Sequence, residues 1–462
     1  MFQKKQLELK DHILPDAFVA QMTNILGSEV ADFLETLQTS PPVSIRYNPL
    51  KSIPRPEELQ DVLWCDQGGY LPQRKLFILD PFFHAGGYYV QEASSMIIGQ
   101  VVRQLLPVDQ PLRALDLCAA PGGKSTLIAS LLPGGSLLLC NEVIRSRYQI
   151  LRENLTKWGS PVTHGSQQDS SHLQGLNNFF DFVLVDAPCS GEGLFRKDPA
   201  ASKEWSPEAV KHCAARQKRI LADAVPLLRP GGILCYSTCT YNELENTANA
   251  QWLAETFGLE EVKLKLDAKW GIVEQSSGYQ CYPHRVRGEG LYLVCFRKTA
   301  VEVSRKQSLK WKADKNFAPI SKKVQSMVSR WFSPTAAFEY YQDDNGRVFA
   351  LPSGQVSALL FIRHQLRKHN LGIWMGTLKR NDFVPSPDLA LSTLQHEEIP
   401  RVDLTLKESL HYLKKENIIL NNSMEGWALA CYEGQPMGWI KGLKNRINNY
   451  YPKEWRIRMR ID

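Results

Sequence analysis

None of the ten cysteines stands in a Cys-x-x-Cys pair, which removes the common structural zinc and dithiol redox motifs and any tightly spaced disulfide framework. No apolar run approaches the roughly 18 residues that a membrane span requires, and the amino terminus carries no leader with an apolar core. A reduced, cytoplasmic chain with free thiols and no membrane contact is therefore expected. Gly-x-Gly-x-x-Gly and Gly-x-x-x-x-Gly-Lys-Thr are also missing, so nicotinamide and P-loop nucleotide readings are weak. Nor does the chain have the composition of a disordered one, since 43% of its residues are apolar and 22% charged, ordinary values for a protein with a full core.

The chain has 462 residues, enough for about two to four domains. Its formal charge is +7, a mild excess that suits a polyanionic partner without requiring one. The amino-terminal hundred residues open with Ile13, Leu14, Phe18, Met22, Ile25 and Leu26 at helical spacing, the pattern of core-facing helices. Val43 to Pro49 alternates apolar and polar residues like a half-buried strand, with Arg46 and Asn48 on its solvated face, free to meet phosphate. Tyr88 to Met96 leads into a helix ending near Leu106, before Pro107.

From Arg113 the pattern becomes strand and helix alternation. Strands are expected at Arg113 to Leu117, Ser136 to Asn141, Val162 to His164, Phe180 to Val185 and Gly232 to Ser237, with helices between them. This predicts an α/β, doubly wound sheet. Ser206 and Pro207 open a helix to Leu228 whose apolar stripe includes Cys213, expected in the core. A helix over Glu243 to Phe257 and a hairpin of Leu259 to Leu264 with Leu291 to Arg297 would close the sheet.

The basic stretch Lys298 to Asn316, with Lys306, Lys310, Lys312 and Lys315, reads as a linker. Two smaller units follow, the last with a hairpin turning at Glu433 and Gly434. Its tail mixes Lys441, Lys444, Arg446, Lys453, Arg456, Arg458 and Arg460 with Trp439, Tyr450, Tyr451 and Trp455. Cations neutralise phosphates and aromatic faces stack on bases, so RNA contact is expected there.

Asp116-Leu-Cys-Ala-Ala-Pro-Gly-Gly-Lys-Ser-Thr126 lies between the first strand and a helix, where small residues admit close backbone approach by a ligand. Asn141-Glu142 ends the second strand, and a carboxylate there can accept both hydroxyls of a ribose. Asp169, after the third strand, is a candidate for the exocyclic amine of adenine. Together these residues point to an adenosine compound. Zinc spacing fails for Cys118, Cys140, Cys189, Cys235 and Cys239, so no metal is expected.

Asp181-Phe-Val-Leu-Val-Asp-Ala-Pro-Cys-Ser-Gly-Glu-Gly193 is a buried strand that delivers Asp186 and Cys189 to the carboxyl edge of the sheet. Ile233 to Thr240 delivers Cys239 to the same edge. A free thiol is only a few per cent thiolate at neutral pH, so an activating neighbour is needed, and Lys124 and helix amino termini are the candidates.

Asp116 to Thr126, Asp186-Ala-Pro-Cys-Ser-Gly191 and Ser237-Thr-Cys-Thr240 closely resemble the motifs of RNA 5-methylcytosine methyltransferases of the NOL1/NOP2/Sun type. The likeness extends through Arg46-Tyr-Asn48, Gln91-Glu-Ala-Ser-Ser95 and Tyr282-Pro-His-Arg285, over about residues 1 to 300. The downstream part is similar to the bacterial RsmF-like subgroup, in which a small connecting domain precedes a PUA-like RNA-binding domain.

The resemblance implies a Rossmann-like S-adenosyl-L-methionine-dependent methyltransferase domain with an N-terminal α+β extension and small C-terminal α+β and PUA-like domains. The implied divisions are 1–105, 106–298, a linker at 299–316, 317–380 and 381–462. It assigns the cofactor to Cys118, Ala119, Ala120, Pro121, Gly122, Gly123, Lys124, Glu142, Asp169 and Asp186. Glu142 stands where many members have Asp, which keeps the ribose role. The resemblance makes Cys239 the nucleophile and Cys189 the thiol that helps release product, with Asp186 and Lys124 completing the catalytic set. The implied partner is ribosomal RNA, that of the small subunit, or a ribosomal subunit, met by a monomer. An RNA-binding assembly factor with a vestigial catalytic domain is the alternative. A third reading, adenine amino methylation, wants two prolines and an aromatic after Asp186, where this chain has Ala-Pro-Cys189.

Overall fold

The computed structural model describes residues 14–299, 309, 314–380, 382–418, 424–444 and 446–460. Most of the basic stretch read as a linker, with Lys306, Lys310 and Lys312, lies outside the described residues, as does Ile13.

A ten-stranded sheet forms the centre. From one edge it runs Val273–Glu274, Tyr279–Cys281, Leu291–Lys298, Leu228–Thr238, Phe180–Asp186, Arg113–Asp116, Leu137–Asn141, Thr163–Ser166 and His369–Asn370. Leu259–Glu261 pairs beside Leu291–Lys298. The five strands from Leu228–Thr238 to Thr163–Ser166 are parallel. They are apolar on both faces because each face is covered. Leu138, Phe182, Leu184 and Ile233 enter one core. Leu139, Val183, Val185, Leu234 and Tyr236 enter the other. The chain order reverses between Arg113–Asp116 and Phe180–Asp186, and ligands of open α/β sheets bind at such a switch point, beyond the carboxyl ends.

The expected hairpin at the sheet edge is replaced by a longer excursion. Val273–Glu274 and Tyr279–Cys281 intervene between Leu259–Glu261 and its partner Leu291–Lys298. The helix after Ser206 runs Pro207–Ala224, with a 3-10 turn Val225–Leu227, and Ser206 caps it through Ala209. Cys213 is half-buried beside Arg216 and leaves the core position to Ala214. The next helix starts at Thr247, four residues later than the sequence pattern implied, because Asn242 and Glu245 are engaged in side-chain hydrogen bonds.

The amino-terminal part packs a four-stranded sheet, ordered Gln60–Val62, Cys65–Leu71, Val43–Tyr47 and Tyr88–Val90, against this domain. Arg46 and Asn48 are 0% and 2% exposed, so the expected solvated face is an internal seam. Arg46 donates to Gln91 (2.8 Å) and Thr126 (2.6 Å) and lies over the Trp158 ring at 4.4 Å. Asn48 donates to the Gly86 and Trp158 carbonyls. The helix Asp16–Leu26 buries Phe18 and Met22 against Phe195 and Trp205.

Beyond the central sheet, Phe317–Pro319, Phe338–Asp343, Arg347–Pro352, Ile373–Lys379 and Asp382–Pro385 make a five-stranded sheet. His369–Asn370 leaves that segment to pair with Thr163–Ser166 of the central sheet. A last sheet combines Arg401–Asp403, Gly426–Tyr432, Gln435–Leu443 and Arg446–Asn449. Its hairpin turns at Glu433 and Gly434, both with positive φ (45° and 74°), as a two-residue turn between twisted strands requires. Trp439 and Tyr451 are 1% and 0% exposed, so these two rings serve the core and have no face for a base. Lys444, Arg446, Lys453, Arg456, Arg458 and Arg460 are exposed.

Candidate active site

The carboxyl ends of the five parallel strands build the site. The strand Arg113–Asp116 stops at Asp116 because the next residues turn through Pro121 and Gly122 into the helix Gly123–Ala129. Gly122 has φ 114°, a conformation that a side chain would strain. Asn141 stitches the neighbouring loops together, donating to the Leu117 and Gln168 carbonyls at 3.1 and 3.0 Å. Arg147 and Asn154 hold the Ala120 and Pro121 carbonyls from outside, each at 2.8 Å.

Carboxylates dominate the edge. Asp116 is 1% exposed, accepts from Ser125 at 2.6 Å, and leaves Oδ1 without a partner. Burial pushes its carboxyl up to about 7, and the charges of Asp186 and Glu142 add to the rise. Glu142 is 2% exposed, accepts the Ile144 N–H at 2.9 Å and has Arg147 at 3.5 Å. Asp186 accepts from Lys124 and from Ser237, both at 2.8 Å. Burial opposes the Lys124 ammonium, yet Asp186 and then Cys239 outweigh it and hold the group above its ordinary value. Asp169 caps the turn Ser170–Leu176 through Ser171, pairs with Arg219 at 3.1 Å, and lines a cavity of about 710 Å³ with Val143, Gln167 and His172. The donor set fits a hydroxylated, positively charged ligand such as S-adenosyl-L-methionine. Its carboxylates, set against Lys124 and the Arg147 and Arg219 guanidinium groups, offer acceptors for hydroxyls and a balance for positive charge.

The cysteines meet above Asp186. Cys189 and Cys239 have their sulfur atoms 3.1 Å apart. The Cys189 thiol is pushed well above its ordinary value, first by its hydrogen bond to Cys239 and then by burial. The two loops touch at Gly193, whose N–H donates to the Cys239 carbonyl at 2.8 Å. A Cβ there would lie 2.8 Å from that oxygen, so only glycine permits the approach.

The structure thus brings Lys124, Asp186, Cys189 and Cys239 together. It sets Glu142 beside the Gly-rich turn, through Arg147, and gives Asp169 separate partners. Sequence reasoning missed Glu192 and Glu245, buried glutamates that bind both cysteine loops. The available signal was a carboxylate between two glycines, Gly191 and Gly193, directly after the Cys189 turn.

A doubly wound sheet with this edge is the fold of the S-adenosyl-L-methionine-dependent methyltransferases. The chain belongs to the RsmB/F family of 16S rRNA methyltransferases. The family description "16S rRNA methyltransferase RsmB/F" matches residues 103–297, "N-terminal domain of 16S rRNA methyltransferase RsmF" matches 14–93, and "Methyltransferase RsmF PUA domain" matches 400–457. The chain is 30% identical over 465 aligned residues to ribosomal RNA small subunit methyltransferase F of Vibrio vulnificus (strain YJ016), covering 96% of this chain and 97% of that one. It is 29% identical to the protein of the same name from Escherichia coli O9:H4 (strain HS), covering 95% and 96%. Among solved structures, a methyltransferase homologue from Pyrococcus horikoshii superposes with TM-score 0.53 at 26% identity over 63% of this chain and 97% of that one. NSun6 from Pyrococcus horikoshii with SFG shares the fold, with TM-score 0.52 at 20% identity over 62% and 99%.

Proposed function

We propose that the protein is a cytoplasmic, monomeric cytosine-5 methyltransferase of small-subunit ribosomal RNA that works through a covalent Cys239 adduct at carbon 6 of the target base. The observation that carries this reading is the pair of thiols 3.1 Å apart beside the Lys124–Asp186 ion pair. An amino or hydroxyl methyltransferase has no use for two facing cysteines.

Carbon 5 of cytosine is too weak a nucleophile to take a methyl group unaided. Bound S-adenosyl-L-methionine supplies that group as an electrophile. In this reading Cys118 to Lys124, with Glu142, Asp169 and Asp186, hold it, the carboxylates matching its hydroxyls and positive charge. Cys239 attacks carbon 6 as the thiolate, with Lys124 stabilising the negative charge. Asp186 holds the ring nitrogen 3 edge, so electron density moves to carbon 5.

The two thiols then exchange roles. While Cys239 is free, its hydrogen bond and then burial raise the Cys189 thiol above its ordinary value. Once the Cys239 sulfur is bonded to carbon 6, that leading cause disappears. Burial and Glu245 still oppose its ionisation, so Cys189 acts after giving its own proton to solvent: the thiolate takes the proton from carbon 5, and the freed electron pair forms the carbon 5–carbon 6 double bond as the Cys239 thiolate leaves. The base must leave its stack to enter, at a few kcal/mol, least in a loop or single strand.

Bisulfite mapping of ribosomal RNA from a deletion strain tests the assignment. One or more cytosines lose their 5-methyl group, and regain it with the unmodified gene but not with Cys239→Ala. An active Cys239→Ala enzyme overturns it.

A further inference from the structure

Glu192 is the most heavily engaged carboxylate at the cysteine loops. It is 0% exposed and follows the Cys189 turn by three residues. Its Oε2 accepts from the Thr240 hydroxyl and from the backbone N–H groups of Tyr241 (2.7 Å) and Asn242 (3.0 Å). Its Oε1 accepts from the Asn242 amide (3.0 Å), the Trp205 indole (3.1 Å) and Gln21 of the amino-terminal helix (3.1 Å). All six partners are donors, so the site is built for an acceptor with no hydrogen of its own. Four of them belong to Thr240, Tyr241 and Asn242, the residues that directly follow Cys239. Glu245 makes a second link in the opposite sense: it lies on the Cys239 side and accepts from the Ser190 N–H (3.0 Å) and hydroxyl beside Cys189.

We propose that Glu192 is a positioning residue for the methyl-transfer reaction. Its carboxylate fixes the turn after Cys239 to the loop of Cys189 and thereby sets the spacing of the two sulfurs. Gln21 makes the amino-terminal helix part of that clamp. The proposal rests on the two-cysteine reading for its meaning in catalysis, but the clamp itself is a statement about geometry.

The test uses the full-length protein and the variants Glu192→Gln, Glu192→Asp and Thr240→Val. Two properties are measured. The first is steady-state methylation of the target RNA. The second is the rate at which diamide links Cys189 to Cys239, read by peptide mass spectrometry. In that assay two thiols are oxidised to one disulfide, and the diazene takes up both protons and electrons to become the hydrazine.

An amide at position 192 turns N–H hydrogens towards donors. We expect Glu192→Gln to lose about a hundredfold in kcat, the scale of a 1 Å misplacement, while KM for RNA stays within about threefold. Disulfide formation slows about tenfold in step. Glu192→Asp, which keeps an acceptor-only group, recovers most of both. If Glu192→Gln does not fold, Thr240→Val, which removes one of the donors to Glu192 together with the acceptor of Asn242 and Ser190, shows the same two effects at smaller size.

A folded Glu192→Gln enzyme with unmodified kcat, or with an unchanged disulfide rate, overturns the proposal. A loss shared equally between kcat and RNA affinity would mark a merely structural role and overturn it too. The disulfide rate needs no substrate. If the unmodified protein proves not to methylate cytosine, the reaction assignment falls and the clamp is judged by that rate alone.

Discussion

The Cys189 and Cys239 sulfurs are 3.1 Å apart, and the Cys239 backbone N–H approaches the Cys189 sulfur at 3.4 Å. They come from strands that pair in parallel, Asp186 against Ser237; Cys189 follows its strand end Asp186 by three residues and Cys239 follows Thr238 by one. Removing either should stop a different step. Cys239→Ala lowers single-turnover methyl transfer by more than about a thousandfold, as expected for a lost nucleophile. Cys189→Ala transfers the methyl group but traps enzyme on RNA, visible as a slow band on a denaturing gel. Loss of that band on adding Cys239→Ala completes the check.

Lys124 touches Asp186 at 2.8 Å, and the Cys239 charge also bears on it. Lys124→Met removes the ammonium while keeping the stem. The expected loss is about 2–4 kcal/mol of transition-state stabilisation, the scale of a single electrostatic contact, seen in kcat more than in RNA binding. A fall in RNA affinity alone would show that Lys124 acts outside the chemical step.

His164 links the central sheet to the segment beyond it. Its Nδ1 accepts the Gly372 N–H at 3.1 Å, which leaves Nε2–H to donate to Gln355 at 3.0 Å. Burial lowers its pKa from 6.5 to about 4. The unfolded chain therefore takes a proton that the folded one refuses between these values. The stability this contributes is complete above pH 6.5 and is lost as the pH falls towards 4, with a slope of at most about 1.4 kcal/mol per pH unit. Urea unfolding at pH 7 and pH 5 should show a steeper loss for the unmodified protein than for His164→Asn. Equal slopes would exclude His164 as the cause.

Arg46 is fully buried between the amino-terminal sheet and the Gly-rich turn, with Gln91, Thr126 and the Trp158 ring as partners. Arg46→Ala leaves a cavity and unpaired polar groups, costing about 2–4 kcal/mol. Thermal unfolding followed by tryptophan fluorescence should shift downwards. An unchanged melting curve would mean that the seam carries no stability.

Truncation after Phe383 is a poor test of RNA binding, because Asp382–Pro385 completes a sheet and the Trp439 indole donates to Ser386 at 2.7 Å. Charge removal is cleaner. Replacing exposed Lys444, Arg456, Arg458 and Arg460 by Gln should weaken RNA binding and lower its salt dependence by about 0.7–0.9 per lost phosphate contact. An identical salt slope would make this face solvated surface.

The methyltransferase part was legible because its signals are local. A strand buried on both faces reads as a continuous apolar run, and the carboxylates and thiols at its end follow from where the run stops. The terminal hairpin was legible for the same reason, since Glu433 and Gly434 are where both residues must take positive φ. Hydrophobic alternation in Val43 to Pro49 likewise predicted a strand, but it could not say what covered the polar face.

Coverage is what the tertiary structure decided. It buried Arg46 and Asn48, turned Trp439 and Tyr451 inwards, and left Cys213 short of the core. It also supplied His369–Asn370, about two hundred residues further along the chain, to the edge of the central sheet, where His369 pairs with Ser166 and Asn370 with Gly165 in antiparallel register. The roles of Glu192 and Glu245 belong here too. Their donors come from positions up to 171 residues away, and no local pattern records a hydrogen bond that exists only after two strand ends have been laid side by side. The sequence alone determined which chemical groups stand at the sheet edge; packing between distant segments decided their distances, partners and protonation.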